Sequence, residues 1–266
     1  MVEYGGGAFE RMNVSVAQQL LLDEESAWGA ARTLRTVATT RAARLPDNWD
    51  LTSREGLSAA MGELMPGAYS DRHLGRLVNR VPGGKQFQYE CVPTGIEEVR
   101  PLLESIRFDE CAGIFDPWCG TGGVARAFRE AGHSVFGNDA NPACVAHMHR
   151  DALQPGTYRE AMKVYSYEAI VASPWFAVLD VALPLATRFA PVVAFHVPGH
   201  YVTDATAART KYLAKLQEEG RLALLLGLPR GPMGRRCVWV CVFATREWRE
   251  RMLKPVVGRN EVWLLK

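Results

Sequence analysis

Four short clusters carry residue types whose spacing suits chemistry. The first is Asp116-Pro117-Trp118-Cys119-Gly120-Thr121-Gly122-Gly123, a carboxylate at the head of a glycine-rich run. Such a run lets a backbone approach a nucleotide-like ligand closely. An acid ahead of the glycines points away from a phosphate cradle and suits a cationic or hydroxyl-bearing ligand. The second is Asn138-Asp139, with Asp139 23 residues after Asp116, where an acid can accept hydrogen bonds from both ribose hydroxyls. The third, Asp151-Ala152-Leu153, offers a carboxylate that can reach an adenine amino group. Taken alone, Asn-Asp is also an ordinary turn dipeptide, and Asp151 reads first as a helix cap or a surface acid. The fourth is Ser173-Pro174-Trp175-Phe176, a polar residue, a proline and two aromatics. A planar base can stack on an aromatic face there, while Ser173 Oγ and the Pro174 carbonyl accept hydrogen bonds from an exocyclic amine. Alone, Pro-Trp-Phe reads as core packing; its place after the other three clusters is what gives it chemical meaning.

A cation and hydroxyls in one ligand describe S-adenosylmethionine. The elements around the clusters are those that would present them to it. Cys111 to Phe115 reads as a strand, the glycines as a turn and Val124 to Ala131 as a helix. Ser134 to Gly137 is a second strand, followed by a helix near Pro142 to Arg150. Glu168 to Ala172 is a strand with its helix at Val178 to Phe189, and Pro191 to Val197 is the next strand. Alternation of this kind marks a parallel sheet. Thr94 can cap a helix from Ile96 to Ile106, and Thr203-Asp204 opens a basic helix running through Glu219. Arg221 to Leu228 and Cys237 to Ala244 are strand-like and joined by residues 229–236, which predicts an antiparallel hairpin at the sheet edge.

On these residues the chain resembles the amino methyltransferases, S-adenosylmethionine-dependent enzymes that methylate adenine N6 or cytosine N4 in DNA. The resemblance covers roughly residues 91–245. Asp116, Pro117, Trp118, Cys119, Gly120 and Gly122 look like the family's cofactor loop, Asn138 and Asp139 its ribose-binding pair, and Asp151 with Ala152 its adenine-contacting segment. Pro93-Thr94-Gly95 is similar to the loop before the family's first helix, which contacts the methionine end of the cofactor. Ser173 to Phe176 resembles the (Asp/Asn/Ser)-Pro-Pro-(Tyr/Phe/Trp) catalytic motif, with Trp175 standing where most relatives have a second proline. The cofactor loop comes first and the catalytic motif roughly 50 residues later, an order like that of the adenine-N6 enzymes. Gly137-Asn138-Asp139 and Ser173-Pro174-Trp175-Phe176 look especially like the adenine methyltransferase-like domains of phages and of DIRS-type retrotransposons, a resemblance that implies a mobile-element or phage origin.

The resemblance implies a Rossmann-like class I methyltransferase fold: an α/β architecture with a seven-stranded, mainly parallel sheet and an antiparallel last strand. It implies S-adenosylmethionine as cofactor, and DNA as partner, either duplex with a flipped base or single-stranded. Cytosine N4, an RNA adenine or a protein glutamine are the alternative acceptors. An inactive module that binds cofactor and nucleic acid is the alternative from a different class, kept open by Trp175.

The remaining sequence sets limits. At 266 residues and 48% hydrophobic content the chain can bury a sizeable core. No apolar run reaches the ~18 residues needed to cross a bilayer. The start lacks the order of a secretory signal, which predicts an intracellular protein, nuclear if eukaryotic and cytoplasmic if bacterial or phage. Six cysteines without a C-x-x-C pair suggest no metal or disulfide framework. Residues 1–90 read as a helical N-terminal extension, with helical patterns at Ala17 to Leu22, Ala27 to Ala43 and twice within Asp47 to Arg80. Val81-Pro82-Gly83-Gly84 forms the boundary, and residues 91–266 make the methyltransferase domain.

Charge is uneven, with 13 basic and 6 acidic residues in 200–266. Arg209 and Lys211 on the basic helix, and Arg230, Arg235 and Arg236 on the hairpin joint, are candidate phosphate contacts; solvated surface charge is the equal alternative. His147 and His149 read as structural, His196 and His200 as loop or partly buried residues, and Trp239 as core.

Overall fold

Strands of two to seven residues, punctuated by glycine turns and capped helices, build a single seven-stranded sheet. The computed structural model describes residues 45–66, 94–203, 206–225, 237–254 and 262–263. The strands are β1 (Ile114–Asp116), β2 (Val135–Gly137), β3 (Ala169–Ala172), β4 (Val192–Pro198), β5 (Leu222–Leu225), β6 (Cys237–Phe243) and β7 (Val262–Trp263), in spatial order β2-β1-β3-β4-β6-β5-β7. The β2-β1-β3-β4 half is parallel. In the other half β6 runs antiparallel to both β4 and β5, and β7 antiparallel to β5. The expected Rossmann-like sheet is therefore present. The expected edge hairpin is not at the edge: β6 is buried between β4 and β5, and β7 covers β5. Long, almost wholly apolar β6 explains this, since a strand so composed is stable only with neighbours on both sides.

Strand register sorts the side chains into two layers. Phe115, Ile170, Ala172, Val193, Phe195, Val240 and Val242 point into one apolar cluster. That cluster is covered by α1 (Arg54–Leu64), α4 (Pro155–Val164), α5 (Leu179–Ala186) and α7 (Ala207–Glu218) through Leu57, Met61, Tyr158, Leu183, Leu213 and Leu216. Each large side chain buried here contributes ~1.5–3 kcal/mol of transfer free energy. The alternate residues, including Ile114, Asp116, Val171, Ala194, His196 and Trp239, face the opposite layer. There α2 (Ile96–Ser105) packs beside α3 (Gly123–Glu130), and the Trp239 indole N–H donates to the Glu98 carbonyl at 2.7 Å. Short α6 (His200–Thr203) follows β4, and α8 (Arg246–Met252) packs on β6.

Hydroxyl caps start α1, α7 and α8: Ser53, Thr206 and Thr245 accept from Gly56 N, Arg209 N and Trp248 N. At α2 the cap position is Gly95, not Thr94, and the Glu98 carboxylate reaches back to Gly95 N at 2.8 Å.

One sequence expectation between β2 and β3 is corrected. No helix forms near Pro142 to Arg150. Asp139 Oδ1 accepts from Asn141 N and Asn141 Oδ1 from Ala143 N, side-chain turns that compete with helical bonding. The segment then runs beside β2, with His147 N donating to the Gly137 carbonyl and an isolated parallel bridge between Asn138 and Met148. The helix lies later, as α4, with Pro155 in its first turn, where a missing N–H costs nothing. Glycine is required at 156 because Asp47 O would lie 2.8 Å from a Cβ there, and Gly156 N donates to it at 2.6 Å.

The same contact ties residues 45–66 to the sheet. Trp49 N donates to Gln154 Oε1, Arg159 binds Asp47 and the Leu45 and Pro46 carbonyls, and Arg188 binds the Glu63 carbonyl. This part of the N-terminal extension thus completes the core of the sheet domain. The helical patterns at 17–22 and 27–43 lie outside the described residues.

Candidate active site at the carboxyl ends of the strands

The chain passes from β1 outward to β2, then crosses back to β3 on the other side of β1. That reversal opens a crevice between the carboxyl ends of β1 and β3, the usual ligand position in open α/β sheets. Asp116 ends β1, Asn138 and Asp139 follow β2, and Ser173 follows β3, so three of the four clusters meet along this edge.

The glycine turn is built by backbone bonds and one acid. Gly120 and Gly122 adopt φ of +50° and +80°, which side chains rarely tolerate. Gly122 caps α3, and Gly123 packs so closely that a Cβ would stand 2.1 Å from the Thr94 carbonyl oxygen. Thr94, buried, is thereby fixed over the start of α3. Asp139 Oδ2 accepts from Gly120 N at 2.8 Å, and its Oδ1 from Asn141 N at 2.8 Å. Its free lone pairs remain for hydroxyl donors, since each carboxylate oxygen carries two.

Asn138, wholly buried, is a clamp rather than a ligand-facing group. Its Nδ2 donates to the Pro117 and Arg150 carbonyls at 3.0 Å each, and its Oδ1 accepts from Arg150 N. All of its bonding atoms are thus turned toward the loops it joins. Buried Cys119 donates its N–H to the Asn138 carbonyl, and half-buried Trp118 sets its ring edge-on to Phe195 at 5.7 Å. Asp151 Oδ1 caps Leu153 N at 2.9 Å, and the Ala152 carbonyl accepts from Tyr158 Oη at 2.9 Å. Burial raises the Asp151 pKa, while the Leu153 N–H and the Gln154 side chain oppose the rise.

Asp116 stands apart. It is fully buried, its Oδ1 takes only the Trp118 N–H at a long 3.3 Å, and its Oδ2 has no partner among the described residues. Burial pushes its pKa up to about 8, reinforced by the Asp139 charge and opposed by the Trp118 N–H. A carboxylate so placed is short of a cation or a donor, and a ligand ammonium group or hydroxyl supplies either.

Beyond β3, Pro174 is buried, while Ser173, Trp175 and Phe176 are half-buried; Trp175 and Phe176 pack against the apolar cluster. Trp175 lies in extended conformation at φ −59° and ψ 139° and leads into a 3₁₀ turn at Phe176–Val178. Phe176 meets the ring of exposed His200 edge-on at 6.4 Å.

Arg209 is placed differently from the sequence reading, and the burial of His196 decides between its two readings. Arg209 is no free phosphate contact: it makes a bidentate pair with Asp180 at 2.7 and 3.0 Å, donates to the Tyr201 carbonyl and lies 4.1 Å above the Tyr201 ring. Helical spacing shows charge but not the acid facing it across a layer. His196, expected as a loop or partly buried residue, lies in the strand expected over Pro191 to Val197 and is buried, 5% exposed, with Nδ1 3.4 Å from Ser173 Oγ. The usable signal is position: His196 follows Phe195 in a strand whose neighbour ends at Ala172, just before Ser173. Lys211 is exposed, whereas Arg230, Arg235 and Arg236 lie outside the described residues. His147 is structural, accepting from Gly137 N and stacking on Phe136 at 4.7 Å. Trp239 is core, fully buried.

No protein-family model matches the chain, and no curated protein matches its sequence. Among solved structures, it aligns with the type IIG restriction endonuclease BpuSI at 15% identity and a TM-score of 0.39, over 63% of this chain and 26% of the other. The chain therefore spans about a quarter of that enzyme's length. A putative O-methyltransferase from Klebsiella pneumoniae aligns at 14% identity and a TM-score of 0.40, over 70% and 95% of the two chains. An O-methyltransferase from Bacillus cereus in complex with SAH aligns at 10% and 0.39, over 80% and 99%. Likeness at this level is loose, and the functional reading rests on the residues themselves. No described helix is long and apolar enough to cross a membrane, and no group of three or more potential metal ligands occurs among the described residues.

Proposed function

We propose that this protein is an S-adenosylmethionine-dependent methyltransferase acting on an exocyclic amine, the N6 of adenine in DNA. One observation carries the reading: a buried acid, Asp116, whose Oδ2 has no partner among the described residues, lies beside a glycine turn at the switch point, one strand from Ser173-Pro174-Trp175-Phe176. A turn of this shape with an acid takes a cationic nucleoside better than a phosphate.

The residues present fit that cofactor. Asp116 and the Thr94 segment would hold its charged methionine end, Asp139 its ribose hydroxyls, and the Asp151 to Leu153 turn its base. When bound, S-adenosylmethionine supplies an electrophilic methyl group on a sulfonium. The protein's part is to present an amine to it. An aromatic amine is a weak nucleophile because its lone pair is delocalised into the ring. Ser173 Oγ and the Pro174 carbonyl, both accepting from the amine, favour a pyramidal nitrogen with a localised lone pair. Phe176 offers a face for the ring to stack on, and positioning of this kind supplies most of the rate. The target base must leave its stack to reach such a site, by flipping or by being single-stranded. Trp175, packed against the core, stiffens the segment in place of the second proline.

The test is incubation with isotope-labelled S-adenosylmethionine and mixed DNA, with the nucleosides read by mass spectrometry. N6-methyladenine is the expected product; N4-methylcytosine, or label appearing only in RNA or protein added in parallel, would reassign the acceptor. Phe176→Ala should chiefly lower turnover or base binding while leaving cofactor affinity intact, whereas Asp139→Ala should weaken cofactor binding. Equal loss of cofactor affinity in both would contradict the assignment. Cofactor binding by calorimetry without transfer to any of these would replace the enzyme with a binding module.

A further inference from the structure

We propose that His196 is a positioning residue for Ser173, accepting the Ser173 hydroxyl proton at Nδ1 so that Oγ is held as an acceptor for the substrate amine. The inference rests on the amino-methyltransferase reading and assigns that site a residue outside the catalytic motif.

Register brings the two together. Ala172 pairs with Phe195, so the next residues, Ser173 just past the end of β3 and His196 within β4, sit side by side, with Ser173 Oγ and His196 Nδ1 3.4 Å apart. The imidazole is held from behind. His196 is paired in register with Trp239, whose ring lies 5.0 Å away at 43° and is anchored by its bond to the Glu98 carbonyl. His196 is 95% buried, and its Nε2 has no partner among the described residues. Ser173 is thus the one described hydrogen-bonding partner of this ring. Burial holds the His196 pKa down to about 4, so the ring is neutral near pH 7 and carries one proton on one nitrogen.

Which nitrogen carries it decides what Ser173 can do. With the proton on Nδ1, the histidine donates to Oγ, one serine lone pair is used, and the hydroxyl proton is left pointing at the substrate. An aromatic amine offers N–H bonds and a delocalised lone pair, so a hydroxyl donor facing it is a mismatch. With the proton on Nε2, Nδ1 accepts the hydroxyl proton and both Oγ lone pairs face the amine. Only this tautomer makes Ser173 the acceptor that the proposed chemistry needs. No proton leaves Ser173 in this role, and the histidine acts through the serine without touching the substrate.

Two measurements test it. In protein labelled with ¹⁵N-histidine, long-range ¹H–¹⁵N correlation near pH 7 should show His196 as the Nε2–H tautomer, and Ser173→Ala should shift its Nδ1 resonance toward that of an unbonded nitrogen. An Nδ1–H tautomer, or an Nδ1 shift indifferent to Ser173→Ala, overturns the inference. With labelled S-adenosylmethionine and a single-stranded oligodeoxynucleotide containing adenine, His196→Leu should lower kcat about tenfold, the worth of one hydrogen bond to a reacting group. The dissociation constant for S-adenosylmethionine should stay unchanged, and His196→Asn, which keeps an acceptor near the Nδ1 position, should recover most of the rate. A His196→Leu protein with kcat within twofold of wild type, or with cofactor affinity falling in step with kcat, overturns it as well. Failure of the methyltransferase reading shows differently, as no transfer by the wild-type protein, and the tautomer measurement decides the pair without activity.

Discussion

Asp116 and Asp180 are both carboxylates taken almost wholly out of water, at 0% and 9% exposure, yet their surroundings are opposite. Asp180 has both oxygens bound by one guanidinium, Arg209, which is itself held by the Tyr201 carbonyl and ring. Asp116 has one long bond to a backbone N–H and an oxygen with no described partner. Asp180 joins α5 to α7 and the segment at α6, so its charge is spent on architecture. Asp116 ends the strand at the switch point, where its charge can be met by a ligand. A buried charge that is fully paired marks structure, and one left short marks a site.

Breaking the paired member should have the larger effect. Asp180→Asn leaves the Arg209 guanidinium buried without its counter-charge, and removing one partner of such a pair costs ~3–5 kcal/mol. Urea unfolding should record that loss while cofactor affinity, measured by calorimetry on the folded fraction, stays at the wild-type value. Asp116→Asn should do the reverse. It removes a charge-assisted bond to the cofactor, worth ~1.5–3 kcal/mol, so S-adenosylmethionine should bind about 10- to 100-fold more weakly. The free protein should unfold no more easily near pH 7, and a marked drop in its stability would place Asp116 with Asp180 as structure. Asp139→Ala comes next. It leaves Gly120 N and Asn141 N unbonded and removes the hydroxyl acceptor, and a loss of ~1–1.5 kcal/mol corresponds to about tenfold in cofactor affinity, with stability changed less.

The difference between the two acids explains what the sequence could and could not tell. The first strand, its glycine turn and the acid after β2 are local patterns and all form, although the strand expected over Cys111 to Phe115 is Ile114–Asp116. Ser173 to Phe176 likewise follows an apolar strand. Arg209 was misread as surface because its partner lies 29 residues earlier on another helix, and no local spacing encodes a pair across a layer. The helix expected near Pro142 failed for a related reason: Asp139 and Asn141 spend their side chains on turns, and Asn138 draws the following segment alongside β2. The demand for glycine at position 156 likewise comes from a distant residue, Asp47, over 100 residues away. His196 is the same lesson within the site. Its type and strand were readable, but its partner followed only from the β3–β4 register.

The subtlest difference between the two acids should appear in pH dependence. Asp116 has a folded-state pKa of about 8, raised above the usual carboxylate value of 3.8 chiefly by burial. A raised pKa means the folded state holds its proton where the unfolded chain has lost it. The stability this protonated form contributes is fully present below about pH 3.8 and is lost as pH rises toward 8. Wild-type protein without cofactor should therefore lose stability relative to Asp116→Asn as pH rises from about 4 to 8, since the amide does not titrate. Cofactor binding should oppose the trend, because a ligand cation favours the ionised acid. Binding near pH 6 should then release up to about one proton, read as a buffer-dependent enthalpy in calorimetry, and Asp116→Asn should abolish that release. A binding enthalpy independent of buffer in the wild-type protein would show that Asp116 is already ionised, and so already paired, which would erase its contrast with Asp180.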